Sequence, residues 1–340
     1  MHHRFRSLVF VTLTGATVSA QAPPPQSATP APPAVWTITA DMNAPESAYY
    51  DAASKSVLVS SINGQIAEKD GNGYISRLSP DGKVINAKWA TGLNAPKGLR
   101  STGGTLWVTD IDEVVGIEIA SGRIASRVRI EGAQFLNDLA TAADGTVYVS
   151  DSQAFRIYAV KDGKASVFVE GEDAVETPNG VLVDGTRLIV GSLGRGVFGP
   201  PPTPGDRAGA PPADGRGADG ARGTGDGRGA PPPGRGRGAP PGGGGRLFAF
   251  DLKTRQRTVV TPEPIGGIDG IEPDGRGGYL VTDVFGSRIL HVSASGTTRT
   301  ILQLAAAGAD FGYIEAQRLA IVPYLFGNNV AAYDLTNALK

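Results

Sequence analysis

The stretch TVYVSD, residues 146–151, is one of six copies of the same pattern along the chain, and this repeat indicates the fold. A valine occupies the fourth position of every copy. The copies are SVLVSS at 56–61, TLWVTD at 105–110, TVYVSD at 146–151, RLIVGS at 187–192, GYLVTD at 278–283 and LAIVPY at 319–324. Successive valines are 49, 41, 41, 91 and 41 residues apart. A period of 41 residues, lengthened twice by insertions, predicts a repeat architecture.

Each unit holds short alternating apolar runs separated by DG, SG or GG turns. The fourth unit shows four of them: GVLVD, RLIVGS, GRLFAFDL and RQRTVV. Four strands in about forty residues are typical of a propeller blade, whereas a sandwich or a jelly roll predicts no fixed period. The sequence therefore predicts an all-β fold, a six-bladed β-propeller. The last unit is one strand short, so AVWTITAD at 34–41 is expected to supply the missing outer strand and close the ring.

Composition shifts divide the chain into segments. Residues 1–20 have a basic start, an apolar run and small residues before Gln21, which indicates a cleaved signal peptide and an exported protein. Residues 21–33 are predicted to be a Pro-rich linker, and 34–340 the propeller. Within it, 199–245 consists almost wholly of Gly, Pro, Ala, Arg and Asp, and we expect a disordered loop in the fourth blade.

Residue inventory excludes several kinds of chemistry. The chain has no Cys, and after signal cleavage only His291 remains, which is expected to be an ordinary strand residue. Thiolate sites, His-rich zinc sites and Ser-His-Asp triads are excluded, so a metal would have to be held by oxygen. The net charge of -1 gives no whole-chain attraction to nucleic acid or membrane, and no spanning segment is expected. The expected partner is a small molecule bound by a monomer.

A polar residue stands 11 to 13 positions before each repeated valine. These residues are Glu46, Lys97, Asn137, Asn179, Asp269 and Asp310. They open the first strand of each unit, and in a propeller the first strands line the central axis in the same direction. The six side chains are therefore expected to gather at one mouth of the channel. Capping of strand ends is the alternative reading for any one of them.

Two carboxylates and two amides in this set are suited to a hard divalent cation. Glu46, Asp269, Asn137 and Asn179 offer only oxygen ligands, the kind that calcium prefers. We expect one cation, calcium first, with magnesium, manganese or zinc as alternatives. Another acidic stretch, EKDGNGYIS at 68–76, copies the middle of an EF-hand loop but lacks the final Glu, so it predicts no site.

Four stretches together resemble the gluconolactonase, regucalcin and luciferin-regenerating enzyme family of six-bladed propellers. They are APESAYYD around Glu46, FLNDLATAADG around Asn137, TPNGVLV around Asn179 and IDGIEPDGRGGYLV around Asp269. The resemblance implies a metal-dependent hydrolase that opens a lactone or related ester. It also implies that Glu46, Asn179 and Asp269 hold the metal, that Asn137 lies beside metal and substrate, and that Asp269 takes the proton from water.

Two further residues bear on the substrate. Phe135 stands where sugar-lactone members of that family often carry arginine, so an aromatic wall and a less polar lactone or ester are expected. Lys97 either offsets charge on the product or forms a salt bridge with Asp269 or Glu46. Asp110, Asp151 and Asp283, at the ends of second strands, are expected to cap turns, with support of the metal ligands or contact with the substrate as the alternative.

A non-enzymatic class also fits the sequence: a propeller whose channel holds a structural ion and whose faces bind a partner. The fold alone does not separate the two classes. A strictosidine-synthase-like chemistry is a second enzymatic alternative.

Overall fold

Six four-stranded antiparallel sheets make up the part of the chain that the structure describes. The structure is a computed structural model, and it describes residues 31–198 and 244–340. The predicted signal peptide (1–20), most of the linker (21–33) and the loop (199–245) except its last two residues lie outside those residues. Gly245, the last residue of that predicted loop, pairs with Gly266 in an isolated bridge.

Sequence order gives spatial order within each sheet, from the innermost strand outward. The innermost strands are β2 (Pro45–Asp51), β6 (Pro96–Thr102), β10 (Leu136–Thr141), β14 (Pro178–Asp184), β18 (Ile268–Pro273) and β22 (Gly312–Ile314). The second strands are β3 (Ser56–Ser61), β7 (Thr105–Asp110), β11 (Val147–Asp151), β15 (Arg187–Ser192), β19 (Tyr279–Asp283) and β23 (Leu319–Tyr324). The six copies of the repeated stretch coincide with these second strands.

The outer half of each sheet follows the same order. The third strands are β4 (Gly73–Leu78), β8 (Glu113–Glu118), β12 (Arg156–Lys161), β16 (Leu247–Asp251), β20 (Arg288–Val292) and β24 (Asn329–Asp334). The outermost strands are β5 (Val84–Leu93), β9 (Ile124–Arg129), β13 (Lys164–Glu170), β17 (Arg257–Val259), β21 (Thr298–Gln303) and β1 (Trp36–Ile38). A short helix, α1 (Glu172–Val175), and a 3-10 turn (Glu315–Gln317) lie between strands.

The N-terminal strand completes the last sheet, as predicted. β1 pairs with β24, with Thr37 opposite Ala331, so the sixth blade takes its outermost strand from the beginning of the propeller. Innermost strands contact those of both neighbouring blades all the way around, including β22 against β2. The ring is therefore closed, and the prediction of a six-bladed β-propeller is confirmed.

The apolar core lies between the blades. Among the described residues, six large clusters each join side chains of two neighbouring blades. The repeated valines are fully buried, one in each cluster: Val59, Val108, Val149, Val190, Val281 and Val322. The 41-residue period thus arises because each repeat places one valine in the contact between two neighbouring blades. No helix in residues 31–198 and 244–340 is long and apolar enough to cross a membrane.

Candidate active site

The polar residues predicted to open the blades stand at the start of the innermost strands. Glu46, Lys97, Asn137, Asn179 and Asp269 are each the second residue of their strand, and Asp310 lies two residues before β22. All six are buried, with exposed fractions of 1 to 8%. Because the innermost strands run the same way around the axis, their first residues share one mouth of the channel.

A bulge accompanies the polar residue in each of the first five blades. The pairing with the second strand shifts register there, for example between Pro178 and Val181 and between Ile268 and Ile271. A bulge leaves a residue outside the ladder and re-aims its side chain. The polar side chains are therefore free to turn toward the channel instead of following the alternation of the strand.

Three of the four predicted metal ligands are brought together. Asn179 donates a side-chain hydrogen bond to Asp269, which lies in the next blade. Glu46 and Asp269 repel each other electrostatically across the mouth. Asn137 lies in β10, which packs against β14, and its Nδ2 donates to Ser152 Oγ at 3.2 Å. That bond leaves the Oδ1 of Asn137 as the free acceptor of the amide.

Both carboxylates of this group have raised pKa values. Burial is the main cause for Glu46, the charge of Asp269 raises its pKa further, and Lys97 opposes the shift. Burial also raises the pKa of Asp269, as do Asp310 and Asp138, while the hydrogen bond from Asn179 lowers it. Removing water and gathering like charges both disfavour the ionised form. Without a cation these carboxyl groups therefore tend to keep their protons, and a bound cation would favour their ionised forms.

Four buried oxygen atoms at the mouth have no hydrogen-bond donor. They are Glu46 Oε2, Asn179 Oδ1, Asp269 Oδ1 and Asp310 Oδ1. A buried acceptor without a donor costs roughly 1–3 kcal/mol, more when it is charged, and such atoms are rare in folded proteins. A hard cation coordinates carboxylate and amide oxygens. The residues present therefore fit a divalent cation. Among the described residues, no three His, Asp or Glu side chains form a metal cluster.

Lys97 and Phe135 form one wall of the mouth. Lys97 Nζ donates to the carbonyl of Ala95 at 3.0 Å and lies 4.6 Å from the ring centre of Phe135. The ring of Phe198, the last residue described before the insertion, is 5.9 Å from that of Phe135. Burial lowers the pKa of Lys97, although Glu46 and Asp110 raise it. In the described part of the chain Lys97 forms no ion pair with Glu46 or Asp269, although the charges of Lys97 and Glu46 act on each other.

Arg100, which no sequence pattern singled out, lies three residues beyond Lys97 in β6. Its guanidinium reaches Glu272 Oε1 at 3.3 Å and Asp310 Oδ2 at 3.7 Å, in the fifth and sixth blades. This ion pair links the second blade to the fifth and sixth blades, and its contact with Asp310 places it beside the polar mouth. Arg100 is buried, and its ring contact with Tyr49 adds a cation–π interaction at 5.5 Å.

Close contacts join the third, fourth and fifth blades near the mouth. Asp138, the residue after Asn137, accepts hydrogen bonds from Val181 N and Leu139 N at 2.8 and 2.7 Å. Gly180 lies directly against the carbonyl of Asp269, where a side chain would clash with the next blade. Glycine at this position therefore permits the close approach that brings Asn179 to Asp269.

Carboxylates at the ends of three second strands position the loops that lead into the site. Asp110 accepts from Ala95 N at 2.7 Å, Asp151 from Phe135 N at 3.0 Å, and Asp283 from Gly267 N at 2.9 Å. Each donor stands two residues before the polar residue of a first strand. The prediction that these residues cap turns is confirmed.

The EF-hand-like stretch is a surface loop, as expected. Asp70 and Asn72 are exposed and bond to each other, with Asn72 Nδ2 2.5 Å from Asp70 Oδ2. The chain then continues as strand β4 and not as a helix.

Comparisons with known proteins support the propeller fold. Beyond the fold they give only distant structural likenesses. No protein-family model matches the chain, and no curated protein matches it by sequence. A gluconolactonase from Xanthomonas campestris has a similar structure, with a TM-score of 0.54 and 14% identity over 85% of this chain and 84% of that one. A chain from a crystal structure of a nidogen/laminin complex has a TM-score of 0.55 and 13% identity over 79% and 88%. At such identity the likeness shows a shared propeller fold, and the two neighbours differ in their biology.

Proposed function

We propose that this protein is a metal-dependent hydrolase that opens a lactone or a related ester at the polar mouth of the propeller. The observation that supports the proposal is the set of buried oxygens without a hydrogen-bond donor on Glu46, Asn179 and Asp269, which belong to the innermost strands of three separate blades. A lactonase-like propeller also agrees with the distant structural likeness to a gluconolactonase.

Glu46, Asn179 and Asp269 would hold the cation, with Asn137 beside it. The ion is expected to be calcium, because the set contains only oxygen ligands, with magnesium, manganese or zinc as alternatives. When bound, such a cation polarises a carbonyl group and stabilises the negative charge that develops on its oxygen.

The side chains of this protein perform the remaining tasks. Asp269 would accept the proton of the attacking water and return it to the alkoxide oxygen released when the ester C–O bond breaks. Asn137 would orient the substrate carbonyl through its amide. The ring of Phe135 and the stem of Lys97 would cover the apolar part of the substrate, and the Lys97 ammonium would face the carboxylate of the product.

The proposal also includes the location of the protein and its oligomeric state. The basic, then apolar, N-terminal segment supports export after signal cleavage, and we propose a monomer as the active form.

A panel of aliphatic, aromatic and sugar lactones, assayed with each divalent cation and with none, tests the proposal. The expected result is hydrolysis that depends on the cation and falls by a factor of at least about 10² in Asp269→Ala and Asn179→Ala. Asp144→Ala, an exposed carboxylate in a turn, is the matched control and should keep full activity. A bound metal ion without turnover of any lactone would favour a binding protein with a structural ion.

A further inference from the structure

An open cleft of about 530 Å³ lies between the fifth and sixth blades, on the face opposite the polar mouth. In the fifth blade β18 begins beside the mouth and ends at the turn that starts with Asp274. The five residues from Asp269 to Asp274 span roughly 16 Å of extended chain. Asp274 and His291 line the cleft from the fifth blade, and Tyr313 and Arg318 line it from the sixth. The cleft is therefore separate from the candidate active site.

His291 is held in this cleft by a carboxylate. Its Nε2 lies 2.8 Å from Asp274 Oδ2, and Asp274 Oδ1 accepts hydrogen bonds from Arg276 N and Gly278 N at 2.7 and 2.8 Å. With Nε2 engaged by the carboxylate, Nδ1 is the ring nitrogen left for another partner. The expectation that His291 is an ordinary strand residue therefore accounts for its place in β20 but not for this pairing.

Three arginines line the cleft without a carboxylate partner. None of the ion pairs formed by residues 31–198 and 244–340 includes Arg276, Arg299 or Arg318. Arg276 NH1 donates to the carbonyl of Leu339 at 3.2 Å, and Arg318 NH1 donates to that of Thr336 at 3.4 Å. Each guanidinium has five N–H donors, so one anchoring bond leaves most of them free.

Two of the three arginines lie near the same tyrosine ring. Burial raises the pKa of Tyr313, the charges of Arg318 and Arg276 lower it, and those of Glu315 and Asp274 raise it, so both guanidinium groups and both carboxylates lie near the same ring. Glu315 also lines the cleft. Arg299 stands directly opposite His291 in the pairing of β20 with β21. Guanidinium groups fixed around one cleft match the geometry of carboxylate and phosphate oxygens.

We propose that this cleft is a second binding site, specific for a small doubly charged oxyanion such as a phosphate group or a dicarboxylate. Arg276, Arg299 and Arg318 supply the charge, and His291 supplies one further hydrogen bond through Nδ1. The proposal does not depend on the function of the polar mouth.

Isothermal titration of the full-length, metal-free protein with inorganic phosphate and with malonate tests this proposal. We expect one site per chain for at least one of the two, and the preferred probe separates phosphate recognition from carboxylate recognition. Arg299→Gln should weaken binding at least about tenfold, and Arg299→Gln combined with Arg318→Gln should abolish it. Since Arg299 is exposed and has no partner, its substitution leaves the fold intact.

Two controls isolate the site. Arg123→Gln combined with Arg129→Gln removes the same charge from exposed positions of the second blade and should leave the affinity unchanged. Glu46→Gln should also bind the probes normally, because it alters only the mouth. Absence of binding by the unsubstituted protein, or equal weakening by the two pairs of arginine substitutions, would overturn the proposal.

Discussion

The backbone N–H of Asp310 donates to the carbonyl oxygen of Glu46, 3.1 Å away, and this bond joins the last blade to the first. Ser47 and Asp310 form a parallel bridge at the same point, and Ser47 Oγ donates to Asp310 Oδ2 at 2.5 Å. The same contacts therefore close the ring and hold Glu46 at the mouth. Anything that opens the ring is expected to disturb the candidate site.

The stability of the closing strand can be tested at Ile38. This side chain is buried in the cluster between the sixth and first blades, so Ile38→Ala should lower the free energy of unfolding by about 2–4 kcal/mol. Urea unfolding measures the change. Val35→Ala, at a 60% exposed position in the same segment, should change it by less than about 0.5 kcal/mol. Equal effects of the two substitutions would show that the strand does not close the ring.

The close approach of the fourth and fifth blades depends on Gly180. A β-carbon there would collide with the carbonyl of Asp269, so Gly180→Ala should separate Asn179 from Asp269 and lower both stability and metal affinity. We expect at least a tenfold loss of affinity for calcium by isothermal titration. Gly64→Ala is the control, because its nearest neighbour is the flexible side chain of Asp70 at 3.1 Å. Unchanged affinity in Gly180→Ala would contradict the assembled site.

Burial of Glu272 predicts a specific pH dependence. Burial raises its pKa to about 7, although Arg100 lowers it. A carboxyl group whose pKa is higher in the folded state stabilises the fold at low pH, and that contribution is lost as the pH rises from about 4.5 to about 7. The free energy of unfolding of the metal-free protein should therefore lose roughly 1–3 kcal/mol from this group between pH 5 and pH 8.

Urea unfolding at a series of pH values checks this contribution. In Glu272→Gln the free energy of unfolding should fall less between pH 5 and pH 8 than in the unsubstituted protein. In Glu170→Gln, at an exposed position, it should fall as much as in the unsubstituted protein. Parallel pH profiles for Glu272→Gln and the unsubstituted protein would mean that Glu272 titrates normally.

The aromatic wall predicts the substrate preference of the proposed hydrolase. Phe135→Ala should raise the KM for lactones with aliphatic or aromatic substituents about tenfold, because the apolar contact is lost. The kcat for the smallest lactone should stay nearly unchanged. Steady-state kinetics across the panel measures both values. A uniform fall in kcat without any change in preference would instead assign Phe135 a structural role.

The repeat made most of the fold predictable. The buried valines recur because every blade packs against the next in the same way, and the polar residues keep a fixed distance from them for the same reason. Arg100 could not be assigned, because a bulge between Pro96 and Leu99 breaks the alternation that would tell which side of β6 faces the axis. The partner of Lys97 was also beyond prediction, because a long flexible side chain has several acceptors within reach and only tertiary packing selects Ala95.

Diffraction from crystals grown with calcium would show whether the polar mouth binds a metal ion. We expect one ion per chain at the mouth, about 2.3–2.6 Å from oxygens of Glu46, Asn179 and Asp269, and its loss in Glu46→Gln combined with Asp269→Asn. A mouth without an ion at millimolar calcium, or an ion that these three residues do not contact, would contradict it.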